Sequence, residues 1–208
     1  MDDFHYTPPL AERLPLKLTV EEDTTTVASL AARPWVDEEL RASLHRANIV
    51  FVQWESFRDI DRPVFPTHTA ELFHYFQENT PPDIQSEVAV RDEDFSEVSL
   101  HADLVWLPDI LIPVGTLVVL PVVVNLISEW LKQRLLDRHA RTDAKLQVII
   151  ESPDGGSKRL IYEGPADELW RITNFAQQVA SDDATALAPV PSVPKSLEKP
   201  ADTASDKQ

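Results

Sequence analysis

The 208-residue sequence contains no cysteine, which excludes disulfides, thiolate metal sites and a cysteine nucleophile. That composition fits a reducing compartment. Glycine is nearly as scarce, at four residues. With so little of it, no Gly-rich phosphate loop, no Gly-x-Ser-x-Gly elbow and no kinase-like signature is present. Basic residues are outnumbered as well, 19 Lys and Arg against 35 Asp and Glu, for a formal net charge of −16. Such a surface repels phosphate backbones, so nucleic acid is not an expected partner. The N-terminal MDDFHYTPPL has two aspartates where a signal peptide needs positive charge, and Asp2 stands where myristoylation requires glycine. No internal repeat is visible.

What is present is 43% hydrophobic residues, enough for a real core, and 17 prolines to punctuate it. Leu14–Glu21 alternates apolar and polar residues and reads as a half-buried strand. A helix fits Val36–Ala47, capped by Asp37, and the β-branched and aromatic run Asn48–Trp54 predicts a strand. Thr67–Asn79 reads as a helix stopped by Pro81 and Pro82, and Ile84–Val90 as a further strand. The acidic stretch Arg91–Asp103 reads as a solvated face or loop. Near the C-terminus, Lys145–Glu151 and Arg159–Glu163 flank Pro-Asp-Gly-Gly, a hairpin signal, and a helix follows near Ala166–Ala180. From Ser181 onward the composition is that of a disordered tail. The expected class is α+β, a mixed sheet with a long central apolar helix and a C-terminal hairpin plus helix. Its expected parts are an N-terminal portion, 1–103, a second portion, 104–180, and the tail, 181–208.

Between Asp109 and Glu129 no residue is charged. The run holds Ile110, Leu111, Val114, Leu117, Val118, Leu120, Val124, Leu126 and Ile127, and Trp106 and Trp130 bracket it. Read as one helix, it puts Thr116 and Asn125 on opposite faces, so it has no polar stripe and must be buried in protein or lipid. The two tryptophans would then lie about 36 Å apart, at the spacing of a membrane's aromatic belts. Lys132, Arg134, Arg138 and Arg141 follow, which would place the C-terminal side in the cytoplasm. Pro113 and Pro121 and the missing export signal oppose a true span, and the valines also permit two buried strands broken at Pro121. Three readings therefore stand: membrane contact at the inner membrane, burial in the chain's own core, or an interface with a protein partner or a second copy.

Candidate chemistry is thin. His5, His45, His68, His74, His101 and His139 form no i, i+4 ligand pair, so no metal and no cofactor is expected. Asp59 and Asp61 form an Asp-x-Asp between Arg58 and Arg62, more simply a surface ion-pair cluster than a cation site. Glu55, ending a strand, occupies a position where α/β enzymes place carboxylates. Together Glu55, Asp59 and Asp61 define the alternative, a small metal-assisted hydrolase. Phe73, His74 and Tyr75, with Trp35, Trp54 and Trp170, read as packing residues.

An N-terminal strand and helix, then the apolar Ile110–Leu131, basic residues, the hairpin VIIESPDGGSKRLIYEG and a short helix with Leu169 form an ordered pattern, best defined over about residues 105–178. The order resembles effector-associated accessory components of bacterial conflict and anti-phage systems. The resemblance implies a non-catalytic partner that couples an effector to a sensor or a membrane.

Overall fold

A computed structural model describes residues 14–55, 57–100, 104–135 and 142–187. In chain order the strands and helices are β1 (Lys17–Asp23), α1 (Val27–Ala31), α2 (Glu38–Arg46), β2 (Ile49–Val52), β3 (Phe65–Pro66), α3 (Thr69–Asn79), β4 (Ser86–Val88), β5 (Glu97–Val98), β6 (Leu104–Trp106), β7 (Asp109–Ile112), α4 (Leu120–Leu135), β8 (Asp143–Glu151), β9 (Ser157–Pro165) and α5 (Arg171–Leu187). The class is α+β with a mixed sheet, as the sequence predicts.

Local chemistry fixes most boundaries. Asp37 caps α2 by accepting from the Leu40 backbone N–H at 2.9 Å, and His45 and Arg46 close its last turn against the helix dipole. A Thr26–Ser29 capping box starts α1, which the sequence reading did not include. α3 has no local side-chain cap; Glu97 of β5 accepts from the His68 and Ala70 backbone N–H groups instead. One residue of the acidic stretch is thus structural rather than merely solvated. The β8–β9 hairpin closes through Gly155, whose φ of +88° is the conformation glycine supplies cheaply.

The main sheet runs β1-β9-β8-β7-β2-β4, with β6 also paired to β8. β7 and β8 are parallel and joined through α4; β2 and β4 are parallel and joined through α3. The remaining neighbours along that order are antiparallel. Strands from both expected portions interleave, since β1 pairs with β9 and β2 with β7. Alternation along the strands divides the core. Ile49, Phe51, Ile110, Val148 and Tyr162 face α3, α4 and α5, whereas Val50, Val52, Leu111 and Ile149 face α1 and α2. Phe51 is fully buried and meets Phe73 and Phe76 edge-on at 5.4 and 5.3 Å.

The apolar run is not one helix. Its first residues, Ile110–Ile112, belong to β7, which Pro113 ends. A turn with Gly115 at φ +78° and a short 3-10 turn, Leu117–Val119, intervene before α4. Pro121 then sits in the first helical turn, where its missing N–H breaks no helical bond. Thr116 lies outside the helix, so the opposite-face argument fails. α4 does have an exposed stripe, formed by Pro121, Asn125, Glu129 and Lys132. Ile110, Leu111, Leu120, Val124, Leu126, Ile127 and Trp130 are buried by the chain's own residues, and Leu117 is half-buried. Only Val114 and Val118 of the run are exposed large apolar side chains, at 45% and 81%. Among the described residues no helix is long and apolar enough to cross a membrane.

The expected flanks disperse too. Trp106 stands in β6 and packs on Trp54, while Trp130 in α4 lies beneath Arg134, so the pair forms no belt. Arg134 pairs with Glu71 of α3, and Lys132 is exposed. Arg138 and Arg141 lie outside the described residues, as do His5, His101 and His139. α5 continues to Leu187, past the expected helix end at Ala180; the rest of the expected tail, 188–208, lies outside the described residues.

Gly164 carries a testable constraint. Its φ is +156°, and a Cβ there would stand 3.1 Å from the Leu16 Cα, a backbone atom that cannot swing away. Gly164→Ala is expected to lower stability by about 1–3 kcal/mol. Urea unfolding measures it, and an unchanged midpoint would mean that the Leu16 backbone yields freely.

Candidate functional site

At the carboxyl end of β2 the chain leaves the sheet and the neighbouring strand β7 begins. Val52 still pairs with Asp109 there, and the irregularity lies on the β8 side. Five residues from Trp106 to Ile110 face four from Lys145 to Val148, a one-residue bulge at Leu107–Pro108. Proline lacks the N–H that a regular ladder needs, and bulges re-aim the side chains that follow. Here the next side chain is Asp109.

Asp109 is 4% exposed, and both carboxylate oxygens are engaged. The Trp54 indole N–H donates to Oδ1 at 3.1 Å, and one Arg159 nitrogen donates to Oδ2 at 2.5 Å. The same Arg159 nitrogen reaches Gln147 Oε1 at 3.1 Å, and Arg159 Nε reaches Asp23 Oδ2 at 2.5 Å. One guanidinium thus ties β1, β7 and β8 to β9. Burial pushes the Asp109 carboxyl above its ordinary value, outweighing the opposing pull of Arg159 and the Trp54 N–H. Asp23 moves the other way. Burial raises it, but the Thr25 backbone N–H and hydroxyl together with Arg159 outweigh that, leaving it below the usual range. Arg159 is itself raised, because the two carboxylates overcome the cost of burying the cation.

Above this network lies a cleft of about 470 Å3. Its walls are aromatic: Trp54 and Trp106 meet edge-to-face at 5.7 Å, and Phe57 lies 5.2 Å from Trp54. Its polar groups are Arg33, Gln53, Glu55, Arg58, Asp109, Gln147 and Arg159. Arg33 is paired with Glu55 at 3.0 Å. Gln53, only 4% exposed, donates its amide N–H to Glu55 at 3.4 Å and leaves Oε1 with no partner among the described residues. A buried acceptor without a donor costs about 1–3 kcal/mol, so its presence on a cleft wall asks for an explanation. The loop beyond β2 overhangs the cleft. A Trp54–Val64 bridge closes its base, and a tight Phe57–Ile60 turn forms its tip. Arg58 occupies that tip at φ +53°.

The alternative hydrolytic set does not assemble. Glu55 reaches the cleft, whereas Asp59 and Asp61 are exposed and lie off its walls. Among the described residues no group of three or more His, Asp or Glu could hold a metal. His68 and His74 both fall on or beside α3, and His74 lines a separate groove with Glu71, Tyr75 and Trp130. Gln53, Asp109, Arg159 and Trp106 make the cleft, and no motif in the sequence joins them.

The fold and site define an α+β domain, helices on both faces of a mixed sheet, with an aromatic-walled cleft at one strand end. Compared with protein-family models, with curated proteins and with solved structures, the chain matches none of them.

Proposed function

We propose that the protein is a non-enzymatic accessory protein that works by binding, with the cleft at the end of β2 as its binding site. The cleft itself carries this reading: a concave space of about 470 Å3 walled by Trp54, Phe57 and Trp106, with a few polar side chains between them, has the make-up of a small-molecule site. The carboxylates support binding over catalysis. Asp109 and Asp23 are tied to Arg159 in the buried network, and Glu55 is paired with Arg33. α4 is not the acting surface on this reading, since its apolar side chains are spent on the core. The resemblance to effector-associated components of bacterial conflict systems supports the accessory role, and the lack of cysteine supports the cytoplasm as its place of work.

A small-molecule screen by ligand-observed NMR tests this on the full chain and on Gln147→Trp, which fills the cleft from the β8 side. Saturable binders lost in Gln147→Trp are the expected result. No binder at all, or binders indifferent to the substitution, would remove the cleft from the protein's function.

A further inference from the structure

The main sheet ends in two unlike edges. β4 is three residues long and is packed by α2 and α3. β1 is seven residues long, pairs with β9 without a bulge and contains no proline. Among the described residues no strand lies on its outer side. Such an edge leaves a row of backbone N–H and C=O groups outside the sheet's own ladder, and proteins ordinarily shorten, bulge or proline-block it. We propose that the outer edge of β1 docks an extended segment of a partner protein, which joins the sheet as an antiparallel strand carrying two adjacent basic residues. The site stands apart from the cleft, whose walls include no residue from Lys17 to Glu22.

The inner neighbour, β9, shows which sequence complements β1. Its register sets Lys158 opposite Glu22, Arg159 opposite Glu21 and Leu160 opposite Val20. The pattern closes with Glu163 opposite Lys17. Side chains of a strand stand above and below the sheet, so a strand on the outer side meets the same residues in the same order as β9 does. Glu21 and Glu22 are exposed, and Val20 is 43% exposed, so each keeps surface for a second neighbour. Antiparallel addition continues the β1-β9-β8 pattern and is the slightly more stable pairing. Read from its N-terminus, the segment that fits has two basic residues, then a β-branched residue opposite Val20, and an acid opposite Lys17.

A second copy of the chain fits this edge poorly. β1 laid antiparallel to another β1 about Val20 sets Glu21 against Thr19 and Glu22 against Leu18. Each strand then holds two carboxylates with no cation opposite, within chains of net charge −16 that already repel one another. A partner's basic strand gains from the same charge, which draws it toward the surface before the backbone ladder forms.

Titration of the nitrogen-15-labelled full chain with the end-blocked peptide TKRVTVE, followed by backbone amide shifts, tests the proposal. Two control peptides separate its parts. TKRPTPE keeps the charge but lacks the N–H groups of a strand, and TEEVTVK keeps the strand pattern but reverses the charge. TKRVTVE is expected to bind with a Kd below about 1 mM, at least about tenfold tighter than either control, with the largest shifts at Lys17–Asp23. Glu21→Gln/Glu22→Gln, which changes only exposed side chains, is expected to weaken that binding about threefold or more at an unchanged melting temperature. Equal binding of TKRVTVE and TKRPTPE would mean charge attraction without a strand and overturn the proposal. Shifts centred outside β1, unchanged affinity in the double variant, or no binding at several millimolar peptide would overturn it as well.

Discussion

Arg159→Met is expected to destabilise the protein by about 3–5 kcal/mol at neutral pH, most of it because Asp109 is left charged in the core with the Trp54 N–H but no counter-ion. The substitution keeps the unbranched stem and removes only the guanidinium, so packing loss contributes little. Arg159 is one-fifth exposed, Asp109 one-twentieth, so water cannot replace the lost partner at the aspartate. The deficit should depend on pH. Asp109 titrates above its unfolded value of 3.8, so its neutral form is the one the fold favours. Any stability gained by protonation is therefore fully present below the unfolded pKa and lost as pH rises through the folded one. In Arg159→Met the Asp109 carboxyl rises further, and acidification from about pH 7 to about pH 4.5 should recover part of the loss. Asp23 works in the opposite sense. Its depressed folded pKa contributes stability above its unfolded pKa that is lost as pH falls through the folded one, and removing Arg159 weakens that contribution. Because Asp23 also keeps the Thr25 backbone and hydroxyl donors, the Asp109 effect should dominate. Urea unfolding of Arg159→Met and of Arg159→Met/Asp109→Asn measures both points. The double variant should regain most of the stability at pH 7; a deficit independent of pH and untouched by Asp109→Asn would sink this account.

That network also shows where sequence reading stops. β2 is legible because Ile49–Val52 is β-branched and aromatic, and the β8–β9 hairpin because Pro-Asp-Gly-Gly dictates its turn. α2 and α3 are legible from caps, apolar spacing and proline stops. α1 is not, since five residues make little more than one turn and carry no period. The run after Asp109 misleads for a physical reason. A strand buried on both faces and a buried helix each read as uninterrupted aliphatic sequence, and only the chain's return through β8 decides between them. Pro113, Gly115 and Thr116 mark the break, but a proline is also compatible with a membrane helix, so the signal points both ways.

The cleft is less legible still. Glu55 stands out as a carboxylate at a strand end, and the structure does place it there. Asp109 reads only as the last charge before an apolar run, and Arg159 only as a hairpin residue. Their meeting depends on a pairing 50 residues apart along the chain. The available clue is a charge two residues from Leu111, hence on the same strand face as a core residue. A carboxylate in that position must find a cation or change its pKa, but nothing local says which cation.

The second large effect concerns α4, where two readings of the apolar run make opposite forecasts. Ile127 is fully buried, packed with residues of β7, β8, α3 and α5 in one continuous cluster. Ile127→Ala should therefore cost about 2–5 kcal/mol, the lost transfer energy plus a cavity that rigid strands on one side cannot fill. Val118 is 81% exposed, and Val118→Ala should change stability by no more than about 0.5 kcal/mol. Were α4 instead held by a bilayer or by another chain, Ile127 would face outward in the isolated protein. Its truncation would then leave isolated stability nearly unchanged and weaken association instead. Chemical unfolding of both variants, with sedimentation of each at matched concentration, separates the cases. A large loss at Ile127 with unchanged sedimentation assigns the helix to the chain's own core. That outcome leaves the exposed turn at Val114 and Val118 as the only part of the run for any surface contact, because every other large apolar side chain in it is at least half-buried.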